Sequence, residues 1–245
     1  MSGDVLGALG AAFAPAGMNL VGVASPSDYD ARVSPERTLA RLVPEAQSVV
    51  VIGNGGGAFW NAYRASCARE PARAALADPL DTFTRDVVTR AIGTLGVGGR
   101  IVFPFEFGSV PVSFMTLAAC AGLGTPSLLG VLIHPAWGPW MALRAAWFPP
   151  LRLVAPRPAE GFDPCPGCVE RPCIAACPTG AVSASGWDVP RCVAYRLSTD
   201  DCGLGCHARL ACVVGPEHRY PVEALAHHQG RARTTMAARA SKRDG

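Results

Sequence analysis

The sequence predicts an α+β protein in which an N-terminal α/β domain, built on a central sheet, precedes a small cysteine-rich module. Two observations carry that expectation. Over the first 150 residues, short β-branched runs bounded by glycine and proline alternate with stretches of helical periodicity. Beyond them, eight of the ten cysteines fall within the 48 residues from Cys165 to Cys212. A chain of 245 residues can bury one large core or two smaller ones, and 49% hydrophobic with 17% charged residues is a globular composition. The expected division is a domain over 1–158, the cysteine module over 159–220, and a C-terminal helix with a basic tail over 221–245.

Residues 3–16 suit a helix and Asn19–Ala24 a short buried strand. Ser34-Pro35-Glu36 opens a helix to about Leu42, with Ser34 as N-cap and Pro35 in the first helical position. Ser48–Ile52, S-V-V-V-I, is too short for a helix and reads as an interior strand. Gly53–Gly57, G-N-G-G-G, follows it, either as a plain mobile turn or as a place where a ligand approaches the backbone. Asp81–Leu95 is an amphipathic helix and Arg100–Phe105 another strand. From Gly108 to Leu143 the only charge-capable side chains are His134 and the Cys120 thiol. Prolines and glycines from Pro111 to Pro139 interrupt that stretch, so it reads as a core helix, a turn and a strand, and not as a membrane span. Asp4 and the lack of a twin arginine argue against a signal peptide at the apolar start, and a cytoplasmic protein is expected. A net charge of +3 is too small to argue for nucleic acid, and none is expected as a partner.

The cysteine segment reads C-P-G-C-V-E-R-P-C-I-A-A-C-P-T-G-A from Cys165, then Cys192, then C-G-L-G-C-H-A-R-L-A-C from Cys202. Thiolates are soft ligands that suit iron–sulfur clusters or zinc, and eight complete two four-ligand sites. Zinc ribbons separate two C-x2-C knuckles by a loop, whereas here four cysteines crowd into one run ending Cys177-Pro178, the form of the bacterial ferredoxin run. The expected cofactors are therefore two [4Fe-4S] clusters in a ferredoxin-like module, with a disulfide framework as the alternative. In such runs the fourth cysteine serves the other cluster. Cys165, Cys168 and Cys173 would then share a cluster with Cys212, and Cys177 would join Cys192, Cys202 and Cys206. Four residues, Val169–Pro172, stand where the usual run has two, so the loop is longer. Two oxidised clusters would each add about −2 to the charge and leave the loaded protein near neutral.

Residues 111–124, P-V-S-F-M-T-L-A-A-C-A-G-L-G, and 131–140, V-L-I-H-P-A-W-G-P-W, resemble the end of the cobalamin-binding domain of epoxyqueuosine reductases. The C-P-T-G-A ending at Cys177–Ala181, Cys192 with Tyr195 beyond it, and T-L-A-R-L-V-P-E-A-Q-S-V-V-V-I at 38–52 extend the resemblance to roughly 18–212. It implies a nitroreductase-like cobalamin domain joined to a two-cluster module, as in the related reductive dehalogenases, with cobalamin doing two-electron chemistry. Two departures stand out. The family's catalytic aspartate falls on Gly108, and its Gly-Lys-Asn after A-G-L-G is replaced by Ser127-Leu128-Leu129. Glycine has no proton to give, so epoxyqueuosine reduction itself is not expected. Glu106 is a substitute acid or a surface glutamate.

Trp137, Trp140 and Trp147 are either faces for a flat ligand or core residues. His207, His218, His227 and His228 read as surface or supporting groups beside the thiolates. Cys120 reads as a core thiol, and Cys67, near Arg64 and Arg69, as a weak nucleophile candidate. From Gly230 onward Arg231, Arg233, Arg239, Lys242 and Arg243 read as a mobile basic tail. Two functions remain: a cofactor-assisted reductase acting on a small-molecule substrate, and an electron-transfer protein that serves a redox partner protein.

Overall fold

The computed structural model describes residues 2–106, 110–154 and 161–241. By contacts the chain divides into two units, Met1–Thr125 with Met141–Gly161, and Pro126–Trp140 with Phe162–Gly245. The apolar segment 126–140 thus folds with the cysteine-rich unit.

The first unit is built on a four-stranded sheet in the order Leu20–Ala24, Val49–Gly55, Met141–Phe148, Arg100–Val102. All its pairs are antiparallel. The V-V-V-I run is apolar throughout because the strand is buried on both faces. Val50 and Ile52 stand opposite Trp147 and Ala145, and all four join a core with Leu9, Phe13, Phe59, Phe83, Val88 and Ile92. Those six come from the helices Ser2–Phe13, Ala58–Arg69 and Pro79–Gly93, whose apolar stripes cover this face. Val51 and its partner Gly22 point the other way. There the helix Phe114–Cys120 packs on the sheet.

Three expectations need correction. The strand Met141–Phe148, M-A-L-R-A-A-W-F, has no β-branched residue and carries Arg144, so propensity gave no sign of it; its small Ala145 and Ala146 fit where the sheet is covered on both sides. The glycine run is no free turn, since Gly53–Gly55 continue the central strand past a bulge at Ile52/Gly53. A Cβ on Gly53 would lie 2.6 Å from the Ala142 carbonyl oxygen, so glycine here permits close strand approach. The helix expected from Ser34 to Leu42 breaks into a 3-10 turn, Pro35–Arg37, and a helix, Leu39–Leu42. The Asp30 carboxylate accepts from the Leu39 and Ala40 amides at 2.6 and 3.2 Å and so caps a fresh start there.

The second unit consists of short turns and two longer helices, Val189–Ser198 and Val222–Ser241. The basic stretch from Gly230 is helical to Ser241, so Arg231, Arg233 and Arg239 lie on a helix; Lys242 and Arg243 lie outside the described residues. Among the described residues no helix is long and apolar enough to cross a membrane.

A Cβ on Gly22 would lie 2.7 Å from the Ala121 carbonyl oxygen and 2.8 Å from Leu123 Cγ. Gly22→Val therefore overpacks the sheet–helix contact, and the expected result is a loss of about 1–3 kcal/mol of unfolding free energy by urea denaturation.

Candidate metal centre

Seven of the eight cysteines of the second unit, all but Cys202, sit in or beside a short local turn or helix. Cys165 sits in the single turn Pro164–Gly167 and Cys168 at its end, where the Cys168 amide donates to the Cys165 carbonyl at 3.3 Å. Cys173 lies in the turn Pro172–Ala175, and the Cys177 amide closes on the Ile174 carbonyl at 3.2 Å. Pro178 follows and bars a longer helix. Cys192 rides on Val189–Ser198, which begins with Pro190 in its first turn and the Asp188 carboxylate accepting from the Arg191 amide at 3.0 Å. Cys206 precedes the turn His207–Leu210, and the Cys212 amide bonds back to Arg209 at 3.2 Å. The turns bearing Cys173 and preceding Cys212 pack against each other, over a core of Leu129, Ile133, Val182, Ala208 and Cys212.

All ten cysteines are free, and no disulfide joins any two of them in this structure. Their mutual electrostatics separate the eight into two groups. Burial raises the Cys173 thiol pKa, and the neighbouring thiols of Cys212, Cys165 and Cys168 add to the rise. Cys212 is raised by burial and by Cys165 and Cys168, against a hydrogen bond from the Val214 amide and the Arg209 charge. Cys192 is raised by burial, with Cys206 and Cys177 contributing, against Trp187 and Arg196. Cys202 is raised by burial and by Cys206, Asp201 and Cys192, against the His207 amide. Cys173 and Cys212 thus neighbour Cys165 and Cys168, while Cys192 and Cys202 neighbour Cys206, with Cys177 also acting on Cys192.

Cys165, Cys168, Cys173 and Cys212 line one cavity of about 210 Å³, whose other walls include Leu128, Leu129, Ile133 and Val214. Four soft donors around an apolar cavity are a donor set that suits an iron–sulfur cluster. Among the described residues no group of three or more His, Cys, Asp or Glu side chains converges on a point where a single ion could sit. A cubane binds each cysteine through a different iron, so its thiolates stand farther apart than the ligands of one ion.

Other candidates resolve differently. Trp140 and Trp147 are wholly buried and Trp137 packs on His218 with ring centroids 4.5 Å apart, so the tryptophans serve packing and do not form a platform for a flat cofactor. His207 lies 3.0 Å from the Asp201 carbonyl oxygen, His218 pairs with Glu217 at 3.4 Å, and His227 and His228 touch each other. Glu106 forms an ion pair with Arg85. Gly108 lies outside the described residues. Cys67 is hydrogen-bonded to Tyr63, whose pKa burial and that bond push up to about 12. Cys120 is half-buried and accepts from Arg32 Nη1 at 3.0 Å.

Sequence reasoning missed three arginines. Arg144 is buried in the first unit, donating from Nε to Asn54 Oδ1 at 2.7 Å and lying 4.2 Å from the Phe59 ring centre. Arg209 donates from Nε to the Pro139 carbonyl at 3.1 Å and lies over the rings of Trp140 and Tyr220. Arg171 lines the thiol cavity. The aromatics and the V-E-R-P insertion were the visible signals, but nothing in sequence spacing paired them.

Gly138 has φ +57°, and a Cβ there would strike the Val214 carbonyl. Because the Val214 amide is the Cys212 thiol's donor, Gly138→Ala disturbs the first thiol group. The expected outcome is about 1–3 kcal/mol of destabilisation, read by denaturation, with lowered iron occupancy after anaerobic reconstitution.

No family model matches the sequence, and no curated protein sequence matches it. Solved structures do match. The epoxyqueuosine reductase of Streptococcus thermophilus superposes with a TM-score of 0.61 and 13% identity over 87% of this chain and 66% of its own. An epoxyqueuosine reductase solved with an epoxyqueuosine-modified tRNA stem loop gives 0.55 and 15%, over 92% of this chain and 69% of its own. The C. elegans B12-trafficking protein CblC gives 0.64 and 13%, over 93% of this chain and 91% of its own. The chain thus spans about two thirds of the length of these reductases. The expectation that nucleic acid plays no part draws no support from a fold found holding a tRNA stem loop. The chain has the fold shared by the epoxyqueuosine reductases and this B12-trafficking protein.

Proposed function

We propose that this chain is an iron–sulfur redox protein with two [4Fe-4S] clusters, one on Cys165, Cys168, Cys173 and Cys212 and the other on Cys177, Cys192, Cys202 and Cys206. The observation that carries this reading is the falling of eight free thiols into two neighbourhoods, each drawing on the run Cys165–Cys177 and on the cysteines beyond it. Each bound cluster supplies one-electron transfer. The chain's own part is to hold the thiolates, to keep water from the first group with Leu128, Leu129, Ile133 and Val214, and to offer Val214 and His207 amides to sulfur. Such hydrogen bonds and exclusion of solvent are what set a cluster's potential.

Within that reading, a cobalamin-dependent reductase acting on a substrate other than epoxyqueuosine is favoured by the fold. Glycine at 108 and the ion-paired Glu106 favour an electron carrier with no active site of its own. The tryptophans offer no support for cobalamin, so no step is assigned to it.

Anaerobic purification followed by iron and sulfide assay tests the cluster reading, and about eight irons per chain are expected. Cys173→Ala should lose about half of them, and unchanged iron content would sink the ligand assignment. Addition of cobalamin under absorbance and EPR then separates the two functions: a base-off cobalt signal supports the reductase, and no spectral change supports the carrier.

A further inference from the structure

We propose that Arg171 is a positioning residue that places a fixed positive charge beside the first thiol group, so that a cluster there has a higher reduction potential than one on the second group and is where an electron comes to rest. This deepens the two-cluster reading and rests on it. Among the described residues Arg171 is the only charged one lining the cavity shared by Cys165, Cys168, Cys173 and Cys212. It is half-buried, so solvent screens its charge less than that of a surface arginine. It is also the only non-glycine among the described residues with positive φ, at φ 42° and ψ 55°. Arginine has no short polar side chain to bond locally and favour this left-handed conformation, so the turn is held under strain. Glycine would hold the same turn, in which the Arg171 carbonyl accepts from the Ile174 amide at 2.9 Å, without strain. The two residues by which Val169–Pro172 exceeds the usual spacer give the chain room for this residue between Cys168 and Cys173.

The charges around the two groups differ in sum. Near the first stand Arg171 and Arg209, the latter acting on Cys212; Glu170 is exposed. Near the second, Arg196 acts on Cys192 and Asp201 on Cys202, while Arg233 is paired with Asp200 beside Cys202. With exposed carboxylates counted alike, Arg171 and Arg209 outnumber Glu170 at the first group, while Arg196 and Arg233 balance Asp200 and Asp201 at the second. Reduction takes a four-thiolate cluster from a charge of −2 to −3 by uptake of one electron, and a nearby cation favours the more negative state.

The test is potentiometric reduction with dithionite under EPR, on the full chain reconstituted with iron and sulfide. Cys173→Ala, retaining the second group, identifies that group's signal. In the unaltered chain the first cluster should reduce at the more positive potential. Arg171→Gln should move that midpoint negative and leave the other in place, and Arg171→Lys should restore it. Arg171→Gly removes the charge while relieving the turn, so it should fold at least as well and show the same negative shift. Unmoved midpoints in the glycine and glutamine variants, an equal shift in the lysine variant, or a first cluster that is the harder to reduce in the unaltered chain would each overturn the proposal. Fewer than about eight irons in the unaltered chain would instead overturn the two-cluster reading.

Discussion

The packing of the Pro172–Ala175 turn against the His207–Leu210 turn is the contact on which the second unit depends. It brings together residues some 35 positions apart in the chain, setting Cys212 among Cys165, Cys168 and Cys173 while Cys177 falls among Cys192, Cys202 and Cys206. The core behind it is Leu129, Ile133, Val182, Ala208 and Cys212, with Leu128, Val131, Phe162, Ile174, Val214 and four further cysteines packed against it. The cysteines are thus packing residues of this core as well as soft donors. Burial also raises the pKa of Cys173, Cys192, Cys202 and Cys212 and so favours their neutral thiols. On the two-cluster reading, cluster binding, which needs the thiolates, would contribute to the folding free energy.

The first unit solves a different problem. Its central strand is buried from Val49 to Gly55, yet its last residues are glycine and asparagine. Asn19 extends the ladder with its side chain, accepting from the Gly55 amide at 2.7 Å and donating to the Gly55 carbonyl at 3.1 Å, just where the first strand's main chain begins. Asn54 is turned to Arg144 on the neighbouring strand, whose guanidinium is also covered by Phe59. A buried cation needs such partners to offset its lost hydration. The G-N-G-G-G run therefore lets two strands approach while a polar pair is satisfied within the sheet, which accounts for its composition without a ligand.

How far the sequence reveals this depends on whether the cause is local. The strands at 20–24 and 49–52 and the helices at 2–13 and 79–93 were legible because periodicity and glycine–proline boundaries are local signals. The neighbourhood of Cys212 with Cys165, Cys168 and Cys173 joins parts of the chain that the spacing of a ferredoxin-like run already suggests are close. The strand Met141–Phe148 was not, since its identity comes from lying between two other strands; nor was the break at Thr38, which follows from Asp30 eight residues earlier capping Leu39. Arg171, Arg144 and Arg209 take their meaning from what surrounds them in space, which no spacing rule supplies. The tryptophans look alike in sequence, and only burial separates Trp140 and Trp147 from Trp137.

The charge pattern also bears on what the chain can reduce. Two-electron reduction of most substrates consumes protons, and a protein that supplies them needs an acid at the reacting atom. Position 108 provides none, and the carboxylate nearest to it in sequence is engaged by Arg85, whose guanidinium also lies over the rings of Phe103 and Phe105. Movement of single electrons makes no such demand. On the two-cluster reading it asks for cluster sites alone, and the surroundings of the two thiol groups differ, with Arg171 and Arg209 beside one and offsetting charges beside the other. A substrate consistent with both features is one whose reduction needs electrons from the protein and takes its protons, if any, from water; a partner protein's redox centre is the simplest member of that class.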